Sequence, residues 1–79
     1  MIIKILGMGC ESCKRLFKLS EQSARELNID ATFEKVEDIK KIMAYGVMIT
    51  PALVINEKVK IYGRVPSKDI IKKYIIEEI

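Results

Sequence analysis

Ile2-Ile3-Lys4-Ile5-Leu6-Gly7-Met8-Gly9-Cys10-Glu11-Ser12-Cys13-Lys14 joins an apolar run to a pair of cysteines two residues apart. The run from Met1 to Leu6 is apolar on both faces except at Lys4, which predicts a buried, central, parallel strand. Gly7-Met8-Gly9 breaks it into a flexible loop. From Glu11 to Asn28 the spacing becomes helical. Cys13, Leu16, Phe17, Ser20, Ala24 and Leu27 share one face, and Lys14, Arg15, Lys18, Glu21, Gln22, Arg25 and Glu26 share the other. The two cysteines therefore stand where a strand gives way to a helix.

Beyond Asn28, Ala31 to Val36 reads as a second strand, less apolar and nearer an edge. Asp38 to Tyr45 reads as a short helix with Ile39, Ile42 and Met43 on its apolar face and Gly46 at its stop. Ala52 to Ile55, the turn Asn56-Glu57, and Lys58 to Tyr62 read as a β-hairpin. Its second strand alternates Lys58, Lys60 and Tyr62 against Val59 and Ile61. Ser67 can cap a last helix whose apolar face is Ile70, Ile71, Tyr74, Ile75 and Ile79. The order βαβαββα predicts an α/β fold, a four-stranded mixed sheet with helices on both faces. One domain over residues 1–79 is expected from the length.

Composition narrows the function. Apolar residues are 49% of the chain and charged residues 32%, a balance that suits a soluble globular domain. No apolar run approaches the ~20 residues of a membrane span. No signal peptide is recognisable, so the expected location is the cytoplasm. The net charge is +3 with acids and bases interspersed, which gives no basic stripe for nucleic acid. There is no histidine, and two cysteines cannot make a four-ligand zinc site in one chain. No metal site and no nucleotide or flavin domain is expected; a monomer is.

The dithiol carries the chemistry. At a helix start the first amide N–H groups are unpaired and the macrodipole is positive, so a thiolate at Cys10 is favoured. Lys14 and Arg15 are expected to lower its pKa further, Glu11 to oppose them, and Ser12 to complete the spacer. A Cys10–Cys13 disulfide would close a loop of only four residues, worth about 1.9 kcal/mol in the chain-entropy account. So short a bridge suits cycling better than stapling. Cys13, one turn in and on the buried face, suits a resolving thiol. Met8, Met43 and Met48 could serve as soft ligands, but methionine is more often a core filler.

These features resemble the thioredoxin/glutaredoxin superfamily, closest to its small prokaryotic redox-active disulfide proteins. The resemblance rests on Gly7-Met8-Gly9-Cys10-Glu11-Ser12-Cys13-Lys14, on Tyr45-Gly46-Val47-Met48-Ile49-Thr50-Pro51, and on Gly63-Arg64-Val65-Pro66-Ser67. It implies a thioredoxin-like fold over the whole chain and a thiol–disulfide oxidoreductase active in electron transport and cell redox homeostasis. Cys10 would attack, Cys13 resolve, and the Cys10–Cys13 disulfide would be the sole redox group. From the residues alone, Pro51 fits an ordinary trans proline opening a strand; the resemblance implies a cis Thr50–Pro51 bond beside the sulfurs. Thr50, Pro51, Met8 and Gly9 would then face a protein or small-molecule disulfide substrate. A separate thioredoxin-reductase-like flavoprotein would supply electrons.

Two departures stand out. Gly9 replaces the aromatic residue that thioredoxins place before the first cysteine. Residues 1 to 9 also contain no acid, so the proton acceptor for Cys13 is open among Glu11, water and the departing thiolate. A single Gly63 followed by Arg64 gives no support for glutathione use. Met8-Gly9-Cys10-Glu11-Ser12-Cys13 also resembles the loop of heavy-metal-binding domains and copper chaperones, which would imply Cu(I) transfer. That family runs β-α-β-β-α-β, unlike the order expected here. A thioredoxin-fold module that only binds a partner is the remaining reading.

Overall fold

The computed structural model describes residues 1–79. Its elements are β1 (Ile2–Leu6), α1 (Glu11–Glu26), β2 (Thr32–Val36), α2 (Ile39–Ala44), β3 (Ala52–Ile55), β4 (Lys58–Tyr62) and α3 (Lys68–Glu77). The strand order is β2-β1-β3-β4. β1 runs parallel to β2 and antiparallel to β3, and β3 is antiparallel to β4. The expected α/β mixed sheet is therefore present, with β1 central. The chain closes with a helix and has α2 between β2 and β3, so it does not have the element order of the heavy-metal-binding domains.

Alternation along β1 and β3 splits the core into two layers. Ile3, Ile5, Leu53 and Ile55 join Leu16 and Ala24 of α1 and Ile71 and Ile75 of α3 on one face. Leu6, Ala52 and Val54 join Ile42 of α2 and Val47 on the other. All four residues of β3 are buried, as befits a strand covered on both faces.

The helix ends follow local chemistry. Asn28 adopts a left-handed φ of 58°. The Ile29 amide donates to the Ala24 carbonyl and the Asn28 amide to the Arg25 carbonyl, which is a Schellman closure. The Asp38 carboxylate accepts from the Lys40 amide, and the Ser67 hydroxyl from the Ile70 amide. Gly46, at φ 80°, stops α2.

Three apolar faces differ from expectation. On α2 only Ile42 is buried, while Ile39 and Met43 are 59% and 60% exposed. On α3 only Ile71 and Ile75 are fully buried, and Ile70 and Ile79 face outward. A six-residue and a ten-residue helix each lie over one narrow strip of sheet, which is less than their apolar stripes could cover. On α1 Ser23 is buried, beyond the expected face; its hydroxyl donates to the Leu19 carbonyl. Its small side chain lets α3 come close enough for the Lys68 carbonyl to sit 3.5 Å away.

The alternation expected in β4 is also broken. Pairing passes from Leu53↔Ile61 to Val54↔Val59, leaving Lys60 as a bulge. Val59 and Ile61 consequently pack on opposite faces of the sheet. Lys60 turns toward α3, where its ammonium meets Glu78 at 2.6 Å.

Candidate functional site

The site lies at the carboxyl ends of β1 and β2, where the chain leaves the sheet. Cys10 occupies the N-cap position of α1 with extended backbone (φ −73°, ψ 169°). One turn further, Cys13 is only 6% exposed. Their Sγ atoms lie 2.9 Å apart, within hydrogen-bonding distance. Close approach is permitted by Gly7: a Cβ there would overlap Cys13 Sγ, and would stand 3.8 Å from Cβ of Thr50. Gly7 thus brings the end of β1, the Cys13 thiol and Thr50 together.

The two thiols are driven in opposite directions. The Cys10 pKa is lowered, first by the hydrogen bond from the Cys13 thiol and then by the amides of Cys13 and Ser12 at the open helix end. Cys10 makes no side-chain capping bond, so no cap takes up the first-turn amides. The Cys13 pKa is raised, first by burial and then by its hydrogen bond to Cys10. The dithiol therefore offers one exposed sulfur suited to being a thiolate and one buried sulfur suited to remaining a thiol.

The other expected site residues surround this pair. Ser12 is half-buried in the first turn, and Glu11 and Lys14 are exposed. The Thr50–Pro51 peptide is cis, with Pro51 buried and Thr50 half-buried. Met8 and Thr50 line an apolar cleft of about 200 Å³ with Ile39, Ile42, Met43, Val47 and Met48. Its rim is open: Met48 is 88% exposed, and Met8, Ile39 and Met43 are exposed as well. Met43 and Met48, for which a core role was the commoner expectation, are thus surface groups beside the dithiol, together with Met8, which was expected to face substrate.

Gly9 lines a second cleft of about 160 Å³, on the inner side of the dithiol, with Ile5, Gly7, Cys13, Lys14, Lys35 and Glu37. Lys35 and Glu37 were not among the sequence candidates. The signal that could have found them is topological: a parallel β1–β2 pair puts the residues after both strands at one end of the sheet. The hydrogen bond from the Gly7 amide to the Val36 carbonyl, 2.9 Å, extends that pairing past the strand ends.

Lys4, the one ionisable side chain of β1, turns to the opposite face. It meets Glu57 at 2.6 Å and donates to the Tyr45 hydroxyl at 2.9 Å. These partners raise its pKa and hold it away from the sulfurs.

Residues 1–76 match the thioredoxin domain family. The chain belongs to that family. A thioredoxin of Methanothermobacter thermautotrophicus is 41% identical over 75 residues, covering 95% of this chain and 97% of its own length. A thioredoxin of Methanocaldococcus jannaschii is 33% identical over 73 residues, covering 92% and 84%. This thioredoxin-family chain is a thiol–disulfide oxidoreductase at the level the family defines. No helix in it is long and apolar enough to cross a membrane.

Proposed function

We propose that the chain reduces disulfides of other proteins by cycling Cys10 and Cys13 between dithiol and disulfide. The observation that carries this reading is the opposite displacement of two thiols 2.9 Å apart, one exposed and one buried. Cys10 attacks as the thiolate, which is the nucleophilic form. The electron pair of its sulfur forms a bond to one substrate sulfur, and the other substrate sulfur leaves as a thiolate. Cys13 then attacks Cys10, releases the second substrate sulfur, and leaves a Cys10–Cys13 disulfide.

The amides of Ser12 and Cys13 favour the Cys10 thiolate, while Glu11 and Lys14 set the charge around it. Thr50, Pro51, Met8 and Gly9 form the wall against which an extended substrate segment lies. The exposed apolar rim favours a protein over a small polar thiol as substrate, because it offers flexible thioether surface to apolar side chains flanking the target disulfide. The Cys10–Cys13 pair is the only redox group this cycle needs. Two electrons must then come from a separate reductase of the flavoprotein type that serves thioredoxins, and the protein works as a monomer in the cytoplasm.

Dithiothreitol-driven reduction of insulin tests the reading. The wild-type chain should accelerate precipitation of the insulin B chain, and Cys10→Ser should reduce the rate to that of dithiothreitol alone. Acceleration by Cys10→Ser equal to that of the wild type would overturn it.

A further inference from the structure

Resolution of the mixed disulfide needs Cys13 as a thiolate, yet its sulfur is buried and its proton is held. β1 offers no acid to accept that proton, and Lys4 is committed to Glu57 and Tyr45 on the other face. The groups facing Cys13 can be named. From α1 come Cys10 and Lys14; from β2 and its end come Lys35 and Glu37; Ile5, Gly7 and Gly9 contribute no titratable side chain. Glu37 is the one carboxylate among them.

Its placement is fixed from two sides. A Cβ built on Gly9 would meet Glu37 Oε2 at 3.6 Å, and Gly9 lines the same cleft as Cys13 and Glu37. Gly9 therefore stands on the cleft that the thiol and the carboxylate share. The hydrogen bond from the Gly7 amide to the Val36 carbonyl holds the residue before Glu37 against the same loop. The cleft between them, about 160 Å³, has room for more than one water, each taking about 30 Å³ in the liquid. Glu11, though adjacent to Cys10 in sequence, does not line this cleft.

We propose that Glu37 is the proton acceptor for Cys13 during resolution, directly or across one water in this cleft. The inference rests on the dithiol cycle proposed above. The proton of Cys13 Sγ passes to a carboxylate oxygen of Glu37. The sulfur electron pair forms the bond to Cys10 Sγ, and the bond from Cys10 Sγ to the substrate sulfur breaks. The substrate sulfur leaves with that pair and takes up a proton from Glu37 or solvent. Lys14 and Lys35, on the same cleft, offset the carboxylate's charge next to the forming thiolate.

The sign of the effect separates this role from a purely electrostatic one. A carboxylate that only sat near Cys13 would oppose its ionisation, so removing it would speed resolution. A carboxylate that takes the proton would leave resolution slower when removed. The test is stopped-flow reaction of the reduced protein with a nitrobenzoate disulfide whose released thiolate is coloured. The first phase reports attack by Cys10 and the second reports resolution by Cys13.

In Glu37→Gln the second phase should slow by about tenfold or more at neutral pH, while the first stays within about twofold of wild type. Glu37→Asp should recover part of the rate. The wild-type and Glu37→Gln second phases should converge in alkaline buffer, where hydroxide ionises Cys13 without help. A second phase in Glu37→Gln that is unchanged or faster at neutral pH overturns the proposal. Failure of the dithiol cycle looks different: the wild-type protein would lack a second phase, or Cys13→Ser would retain one.

Discussion

At position 10 the side chain meets water and a helix end, and at position 13 it meets the sheet. That difference of environment sets the reactivity of two chemically identical groups. Alkylation of the reduced protein at neutral pH should modify Cys10 much faster than Cys13, because Cys10 is exposed with its pKa lowered and Cys13 is buried with its pKa raised. Peptide mapping after a short pulse of iodoacetamide checks it, and equal labelling would contradict the assigned directions. Gly7 is the other position where a single atom matters. Gly7→Ala puts a methyl group onto Cys13 Sγ. Overpacking of this kind costs about 1–3 kcal/mol, and chemical denaturation should show a loss in that range. The Cys13 sulfur should also become more readily alkylated as it is pushed outward.

Among the elements, α1 carries the site and is tied down along its length. Its amino end holds the dithiol, its middle packs on β1 and α3, and its carboxyl end closes at Asn28. Asn28→Val places a β-branched residue in left-handed backbone and should cost about 1–2 kcal/mol, whereas Asn28→Gly should be near neutral. Thermal melts of the two variants distinguish them. Glu26, on the last turn of α1, receives Lys68 at 2.6 Å and also Lys72, both from α3. These hydrogen bonds lower its pKa from 4.5 to about 2. The folded value lies below the unfolded one, so the native state binds fewer protons between them. The pair therefore stabilises the fold fully above about pH 4.5 and loses that contribution as pH falls toward 2. In Glu26→Gln the fall in stability over this window should be shallower than in wild type, as measured by denaturation at a series of pH values. Lys60 and Glu78, with side chains only 12% and 9% exposed, join β4 to the end of α3. Glu78→Ala should lower the melting temperature more than Glu77→Ala, because it strands a largely buried ammonium.

Over the whole molecule, two thin core layers share one sheet, and neither has material to spare. Ile71 is fully buried between α3 and the sheet. Ile71→Ala should cost about 2–5 kcal/mol, a large share of the roughly 5–15 kcal/mol that holds a domain folded. Urea titration checks it. The small size of α2, the helix over the Leu6–Ile42–Val47 layer, also explains why apolar surface is left uncovered beside the dithiol. Ile39 and Met43 on α2, and Met48 just after it, are left uncovered, and they line the same cleft as Met8 and Thr50. In the proposed function this uncovered surface is where substrate rests.

What the sequence determined by itself is what short-range physics governs. Apolar period and capping residues act within one turn or one strand, so the seven elements, their order, and the placement of Cys10 and Cys13 at a strand–helix junction follow from them. The resemblance of the motifs around Cys10 and Thr50-Pro51 to thioredoxins extended that reading to the family. Tertiary structure decided what depends on residues distant in the chain. The bulge at Lys60 comes from matching β4 to β3 and to α3 at once, which no alternation within Lys58–Tyr62 encodes. The exposure of Ile39 and Met43 depends on how much sheet a six-residue helix can cover. The placing of Glu37 and Cys13 on one cleft requires β2 to lie parallel to β1 in one register, so that loops from different parts of the chain enclose it. Periodicity reports which face a residue takes, but only the paired sheet reports which other residue it finds there.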